Sequence, residues 1–482
     1  MPVSRCLTRS ACAHADAVRR IRDDIGDDTQ WLAALGAALL LERASFSANK
    51  KVSSKKNASS QTETTIRTRY ARLSGYVATL PRREANVVAS WPEERRRFLA
   101  GTDVERALRC ERSAARREWE GYVKTRVREA LAARRETSEN ETSETREGNL
   151  ITSFPTFRDY LDARSVVSSR AFLVTDAEGP GLVPIADLFN HRTGGHHVAM
   201  RLLDGDGDGD GDATLVAVVS SRVEKGAEVF NTYGALGNAT LLNSYGFTQE
   251  NNPEDTVSVS VPDLRAAAAM RGAPGPVVAK RLAACFSSRR APFQEHALFP
   301  LRKTRSPPNE GSPLEPPTAL LVALWAVTAT DEAFASAERE IAGETAGLGG
   351  SGDPAEEAER DAAAALWRAA AERAEVSGTI FTAAASEVFL EILDRRRRMY
   401  VDVPEDYRED DSIRRDAETG GWRASLRILV ESERAVVDAH AAETKRRLAA
   451  FRGEFRADEL DDAKRRKTAV VAEAEDPFAL FD

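Results

Sequence analysis

The chain has 482 residues, 42% of them hydrophobic and 30% charged, which is typical of a globular protein with two or three domains. Its net charge of −8 disfavours nucleic-acid binding, since a phosphate footprint needs a basic face. No apolar run approaches the roughly 20 residues of a membrane helix. The sequence therefore predicts neither a nucleic-acid partner nor a membrane partner.

The cysteines and histidines indicate a reducing compartment and no metal centre. The four cysteines form no CxxC pair. His191, His196 and His197 have no acidic or cysteine ligand at a recognisable spacing, so we interpret them as loop residues. We predict an intracellular protein of the cytoplasm or nucleus. The chloroplast is an alternative, because Arg5 and Arg9 precede the first acidic residue.

The first third of the chain is predicted to be helical. Residues 31–42 have one apolar face and predict a helix. Thr102 and Glu105 form a capping-box pattern that opens a long Arg/Glu-rich helix to about residue 135. The polar stretches 49–68 and 137–148 predict disordered loops.

From residue 165 onward the pattern changes twice. Residues 198–203 and 214–220 predict the two strands of a hairpin. After residue 261 the chain becomes Ala-rich, with apolar residues at helical spacing in four runs: 317–335, 363–376, 383–399 and 422–448. These patterns predict an α+β chain whose C-terminal part is all helical.

Residues 169–255 contain an ordered set of short motifs: Ser169-Arg170-Ala171-Phe172, Asp187-x-x-Asn190-His191, Asn231-Thr232-Tyr233-Gly234, Tyr245-Gly246-Phe247 and Asn252-Pro253-x-Asp255. Each motif alone is weak, because a single arginine usually makes a surface ion pair and a single aromatic residue usually packs in a core. Their order and spacing together resemble the catalytic half of a SET-domain protein methyltransferase. The branch they resemble includes the Rubisco large-subunit lysine methyltransferase and the actin histidine methyltransferase.

The resemblance implies a mixed-β SET core with a helical insert, followed by an all-helical substrate-binding domain of the Rubisco methyltransferase type. The predicted organisation is a poorly structured remnant at 1–30, a helical insert with disordered loops at 31–168, the C-terminal half of the SET core at 169–260, the helical domain at 261–455 and a polar tail at 456–482.

The resemblance also implies S-adenosyl-L-methionine as cofactor. Arg170 would reach the cofactor carboxylate, which suits a guanidinium fork, and would also contact the substrate. Asn190 and His191 would contact the amino-acid and adenine ends of the cofactor. Phe247 would line the adenine pocket.

The remaining motif residues are expected to handle the substrate. Asp187 would shape the substrate entrance, and Tyr233 would be the catalytic tyrosine beside the reacting amine. Tyr245 and Phe172 would form a narrow aromatic channel that fits a lysine stem and desolvates its amine. The histidine-directed branch has smaller or more polar residues at these two positions, so the sequence favours lysine.

The predicted activity is methylation of lysine side chains in a non-histone protein substrate by a monomer. Two alternatives stay open at this point: a weakly active or inactive protein-binding module that uses the helical domain, and a histidine-directed methyltransferase. The binding module is considered because the family's SET domain opens with a Gly-x-Gly-Leu segment that has no counterpart in residues 1–30. These residues contain one glycine, Gly26, and no alternating strand pattern. From this we expect the N-terminal SET strands to be missing, and the activity of the chain to depend on them.

Overall fold

The computed structural model of the protein describes residues 6–8, 12, 14–25, 31–52, 73, 75–139, 154–175, 179–203, 214–286, 297–303, 314, 316–336, 381–405, 407 and 421–453. Most of the two predicted loops, at 53–68 and 140–148, and the predicted helix at 363–376 lie outside the described residues. The domain boundaries given above stay predictions.

Helices make up most of the described structure. The longer ones are Ala15–Ile25, Trp31–Val52, Asp103–Glu118, Lys124–Glu139, Phe157–Arg170, Val261–Met270, Gly275–Phe286, Thr318–Thr328, Ala383–Met399 and Trp422–Phe451. Among these described helices, none combines the length and apolar character that crossing a membrane requires.

The strands are short: β1 (Ala171–Thr175), β2 (Gly179–Leu182), β3 (Asn190–His191), β4 (Val198–Leu203), β5 (Thr214–Val219), β6 (Phe230–Asn231), β7 (Thr256–Ser260) and β8 (Leu298–Arg302). Within the described residues, β3 pairs with β6 in parallel, and β1–β2, β4–β5 and β7–β8 are antiparallel. The predicted hairpin is confirmed as β4 and β5. Small sheets with a helical C-terminal region confirm the α+β prediction.

The chain divides into two compact units. The first unit comprises Met1–Leu99, Val104–Asn252 and Val403–Ile428, and the second comprises Ala100–Asp103, Pro253–Asp402 and Leu429–Asp482. All the motif residues from Ser169 to Asn252 lie in the first unit.

The core of the first unit forms where the helix Trp31–Val52 packs against the helix Phe157–Arg170. Leu35, Leu39, Tyr160 and Val167 are buried there. Gly36 permits the close approach, since a Cβ at this position would lie 3.1 Å from Cγ of Arg164. This packing fixes the helix that ends at Arg170, and therefore the first motif of the series.

The N-terminal segment differs from the sequence-based prediction. It was expected to be poorly structured, but Ala15–Ile25 is a helix whose Val18 and Ile21 are buried in the core of the first unit. Leu7 also pairs with Leu182 through two backbone hydrogen bonds of 2.9 Å. That prediction is wrong for the described residues. The two buried residues, Val18 and Ile21, are three positions apart, which is a helical spacing, and the residues around them are mostly arginines and aspartates. A search for strand alternation cannot detect that spacing.

The second unit contains a buried polar cluster. Arg396 Nη2 lies 2.6 Å from Asp103 Oδ1 and 3.2 Å from Glu433 Oε2, and the Asp103 N–H donates to Glu433 Oε1 at 3.0 Å. None of the three side chains is more than 13% exposed. Burial and the neighbouring Asp103 carboxylate raise the pKa of Glu433 to about 7 despite Arg396. Two buried acids thus share one guanidinium.

We expect Arg396→Met to lower the free energy of unfolding by about 3–5 kcal/mol, because it leaves two buried carboxylates without this guanidinium. Urea denaturation followed by circular dichroism measures the change. Arg398→Met is the control, since Arg398 is exposed and pairs with Glu391 on the same helix, and we expect it to change stability by less than about 0.5 kcal/mol. Equal stability of the two variants would contradict the prediction.

Candidate functional site

A pocket of about 160 Å³ lies in the first unit. The helix Phe157–Arg170 begins at a capping box of Thr156 and Asp159 and ends where Ala171 adopts an extended conformation that starts β1. This junction places Arg170 at the pocket. The lining residues are Ser169, Arg170, Ala171, Phe172, Leu173, Asp187, Thr232, Tyr233 and Tyr245.

One wall of the pocket is an ionic cluster around Arg170. Its Nε donates to Glu84 Oε1 at 2.6 Å and its Nη1 donates to Asp187 Oδ2 at 3.2 Å. The Tyr76 hydroxyl donates to the same Asp187 oxygen at 3.0 Å. Burial, and then the Asp187 carboxylate, raise the pKa of Tyr76, so this hydroxyl stays protonated. The other Asp187 oxygen, Oδ1, is buried and has no hydrogen-bond partner among the described residues.

Two tyrosines, Tyr233 and Tyr245, also line the pocket. The ring centroids of Tyr233 and Tyr245 lie 4.7 Å apart, and the Tyr233 hydroxyl donates to the carbonyl oxygen of Phe189 at 2.7 Å. Burial raises the pKa of Tyr233 to about 12, with a smaller contribution from Tyr245. Burial also raises the pKa of Tyr245. Both rings are therefore neutral near pH 7, and both hydroxyls keep lone pairs that can accept a hydrogen bond.

The parallel pair β3–β6 brings His191 to Tyr233. His191 faces Asn231 in the ladder, and its Nδ1 accepts the Tyr233 backbone N–H at 2.9 Å. Burial lowers the pKa of His191, so the ring is neutral, with Nδ1 as acceptor and Nε2–H directed to Thr193 Oγ1 at 2.9 Å. The His191 ring stacks on Tyr233 with centroids 5.0 Å apart, and Phe247 lies 6.1 Å from His191.

The structure divides the predicted site residues into two groups. Four of them, Arg170, Asp187, Tyr233 and Tyr245, line the pocket. Phe172, which was predicted to form the aromatic channel, lines it as well. Asn190, His191 and Phe247 are not among the lining residues. The His191 ring stacks on Tyr233, and the Phe247 ring contacts His191 and Tyr245. The Asn190 side chain is exposed and donates to Glu228 Oε1 at 2.6 Å. The role assigned to each residue stays a prediction.

Sequence reasoning missed Glu84 and Tyr76, which hold Arg170 and Asp187. Tyr76 belongs to none of the motifs between residues 169 and 255. Glu84 belongs to no motif, and its partner Arg170 is 86 residues away. The sequence contains no local signal for such a pair.

Gly246 is required by the turn that separates Tyr245 from Phe247. Its φ is +81°, in the left-handed region, and a Cβ there would lie 2.5 Å from the carbonyl carbon of Asn86. A side chain at this position would both strain the backbone and displace the turn.

We expect Gly246→Ala to lower the free energy of unfolding by more than about 3 kcal/mol, because left-handed strain of about 1–3 kcal/mol is added to a clash with backbone. Gly272→Ala is the matched control, since its φ is also +81° but its Cβ would meet no atom within 4 Å. Chemical denaturation of both variants measures the difference. Equal losses would show that the Asn86 contact does not matter.

The similarities to known proteins agree with this geometry. No family model matches the chain. A segment of 117 residues is 36% identical to the ribosomal lysine N-methyltransferase set10 of Schizosaccharomyces pombe, covering 23% of this chain and 20% of that protein. A segment of 96 residues is 30% identical to the human N-lysine methyltransferase SETD6, covering 19% of this chain and 18% of that protein. The matched region thus spans about a fifth of the length of these relatives.

The fold matches over a much greater length. The crystal structure of the SET domain of LSMT bound to lysine and AdoHcy aligns with a TM-score of 0.53 at 18% identity, covering 92% of this chain and 80% of that one. The structure of Rubisco LSMT bound to sinefungin and monomethyllysine aligns with a TM-score of 0.50 at 16% identity, covering 93% and 81%. The chain therefore has the fold of these SET-domain proteins. The predicted resemblance to SET-domain lysine methyltransferases is confirmed.

Proposed function

We propose that the protein is an S-adenosyl-L-methionine-dependent lysine N-methyltransferase that acts on a non-histone protein. The observation that carries the proposal is one pocket, on a SET fold, that is lined both by two neutral tyrosines with ring centroids 4.7 Å apart and by the Arg170–Asp187 ion pair. The relatives support it by their names, since set10 is a ribosomal lysine methyltransferase and SETD6 an N-lysine methyltransferase. The ribosomal substrate of set10 favours a target that is not a histone.

The reaction needs an unprotonated amine, although a free lysine has a pKa of about 10.4. An aromatic channel lowers that pKa because burial penalises the charged form. Phe172 and Tyr245 supply aromatic walls in the pocket. A narrow channel of this kind fits a flexible lysine stem better than a flat imidazole, which also needs polar partners at both ring nitrogens.

The Tyr233 hydroxyl can receive and orient the amine. It donates its proton to the Phe189 carbonyl, so its oxygen lone pairs are left to accept from the amine. Tyr233 is neutral, so this contact does not favour the protonated ammonium as a carboxylate would. A fixed acceptor confines the amine to a narrow range of directions, which is the main contribution of a site that works by orientation.

The residues present also fit the cofactor. Arg170 uses two of its five N–H donors to bind Glu84 and Asp187. The other three can donate to the carboxylate of the cofactor. The buried Asn231 Nδ2 is a donor without a partner among the described residues, next to the ladder that holds His191. The contacts predicted for Asn190, His191 and Phe247 stay part of the proposal, since none of the three is among the residues that line this pocket. The cofactor, when bound, supplies the electrophilic methyl group.

Methyl transfer itself tests the proposal. The full chain is incubated with S-adenosylmethionine carrying a labelled methyl group and with a cell lysate, and the labelled band is digested and analysed by mass spectrometry. We expect the label on a lysine side chain of a non-histone protein. Label on histidine would support the histidine-directed alternative and contradict the proposed specificity. Capture of a protein with no transfer of label would support the alternative of a binding module and contradict the enzymatic proposal.

We expect Tyr233→Phe to lower turnover roughly ten- to hundredfold, because a hydrogen bond to the reacting group contributes about 1.5–3 kcal/mol. The affinity for S-adenosylmethionine should stay nearly unchanged, since the ring remains and the lost contact acts mainly in the transition state. Turnover is measured on the protein identified in the labelling experiment, and affinity by calorimetric titration.

The control for this variant is Tyr122→Phe, which removes a hydroxyl from a tyrosine that is 38% exposed. It should leave both quantities unchanged. Full turnover in Tyr233→Phe would assign the orienting role to another residue, with Tyr245 as the first candidate.

A further inference from the structure

Tyr245 is carried by a π-helical turn, Leu241–Tyr245, which follows the short helix Asn238–Thr240. A π turn holds more residues per turn than an α-helix, is rare, and occurs often at functional sites. The turn ends at Gly246 in the left-handed conformation. The position of the Tyr245 ring therefore depends on what holds this irregular turn in place.

The middle of the turn is held by a side chain distant in sequence. Asn243 Nδ2 donates to Glu111 Oε1 at 2.6 Å, and Glu111 belongs to the helix Asp103–Glu118, 132 residues earlier. Asn243 is 8% exposed, and its Oδ1 is buried without a partner among the described residues. The amide of Asn243 is thus oriented by this one carboxylate, two residues before Tyr245.

Packing gives the turn little support on this side. Asn243 and Ser244 border an open cleft of about 40 Å³, whose other lining residues include Glu111, Arg112, Ser165 and Ser168. Side chains that border an open cleft have fewer protein neighbours on that side. The hydrogen bond to Glu111 crosses between the turn and the helix where close packing is incomplete.

A movement of the π turn would alter the candidate site, because the turn carries Tyr245. The Tyr245 ring packs at a tilt against Tyr233, with ring centroids 4.7 Å apart, and lines the pocket with Arg170 and Asp187. A shift of the turn would change the separation of the two rings, and with it the width of the channel. We propose that Glu111 is a positioning residue for methyl transfer, because it fixes the π turn through Asn243 and thereby places Tyr245 against Tyr233. This inference rests on the proposed function of the pocket.

Two substitutions at one position test the link. Glu111→Gln keeps an acceptor oxygen for Asn243 Nδ2, whereas Glu111→Leu removes it. The control is Arg109→Gln on the same helix, since Arg109 is 75% exposed and pairs with Glu105. The first measurement is hydrogen–deuterium exchange by mass spectrometry on a peptide covering residues 238–247. The second is kcat and KM for S-adenosylmethionine, with the protein identified in the labelling experiment as acceptor.

We expect Glu111→Leu to speed exchange in that peptide about tenfold, which corresponds to about 1.4 kcal/mol of local stability. We expect its kcat to fall by a similar factor, about tenfold, while KM for S-adenosylmethionine stays within about twofold. Glu111→Gln should behave like the parent chain in both measurements, and so should Arg109→Gln. Rescue by glutamine separates loss of the acceptor from a general loss of folding.

Unchanged exchange in Glu111→Leu would overturn the positioning role, as would faster exchange with an unaltered kcat. Faster exchange over the whole of the first unit would also overturn it, because that result indicates only a destabilised fold. The proposed function fails in a different way, through absence of methyl transfer by the parent chain. The exchange result then still shows whether Glu111 holds the turn.

Discussion

The two-residue parallel pairing of β3 with β6 is the constraint on which the rest of the site depends. It sets His191 opposite Asn231, so that Nδ1 of His191 accepts the backbone N–H of Tyr233 and the two rings stack. So short a ladder contributes few hydrogen bonds of its own, and it is supported by the ring contacts that continue from Tyr233 to Tyr245. A buried, neutral histidine is needed, because a protonated Nδ1 could not accept that N–H.

One small pocket is lined both by charged side chains, Arg170 and Asp187, and by two neutral tyrosines. Glu84 and Asp187 pair with Arg170, while burial keeps Tyr233 and Tyr245 protonated. The pocket therefore combines neutral hydroxyl groups, which can accept hydrogen bonds, with a guanidinium that is already paired with two carboxylates.

Much of the site could be predicted from sequence because its parts are local. The Ser169-Arg170 pair ends a helix whose cap is encoded by Thr156 and Asp159, and the hairpin β4–β5 follows from alternation of apolar residues. Tyr233 and Tyr245 belong to short motifs whose order along the chain follows the order of the strands and turns. Such features depend largely on patterns that are local in the sequence, which is why they could be predicted without knowledge of distant contacts.

By itself, the sequence determined the fold class, the motif order and the residue types available for chemistry. The tertiary structure alone decided which partners those residues have: Glu84 for Arg170, Glu111 for Asn243, and Leu7 for the edge of β2. It also decided that Asn190 is exposed and pairs with Glu228. These contacts join residues 38 to 175 positions apart, and no periodicity or local pattern encodes them. They arise only when burial of the apolar faces brings distant helices and strands together, and the polar side chains at those contacts must then find partners because unpaired polar groups are costly to bury.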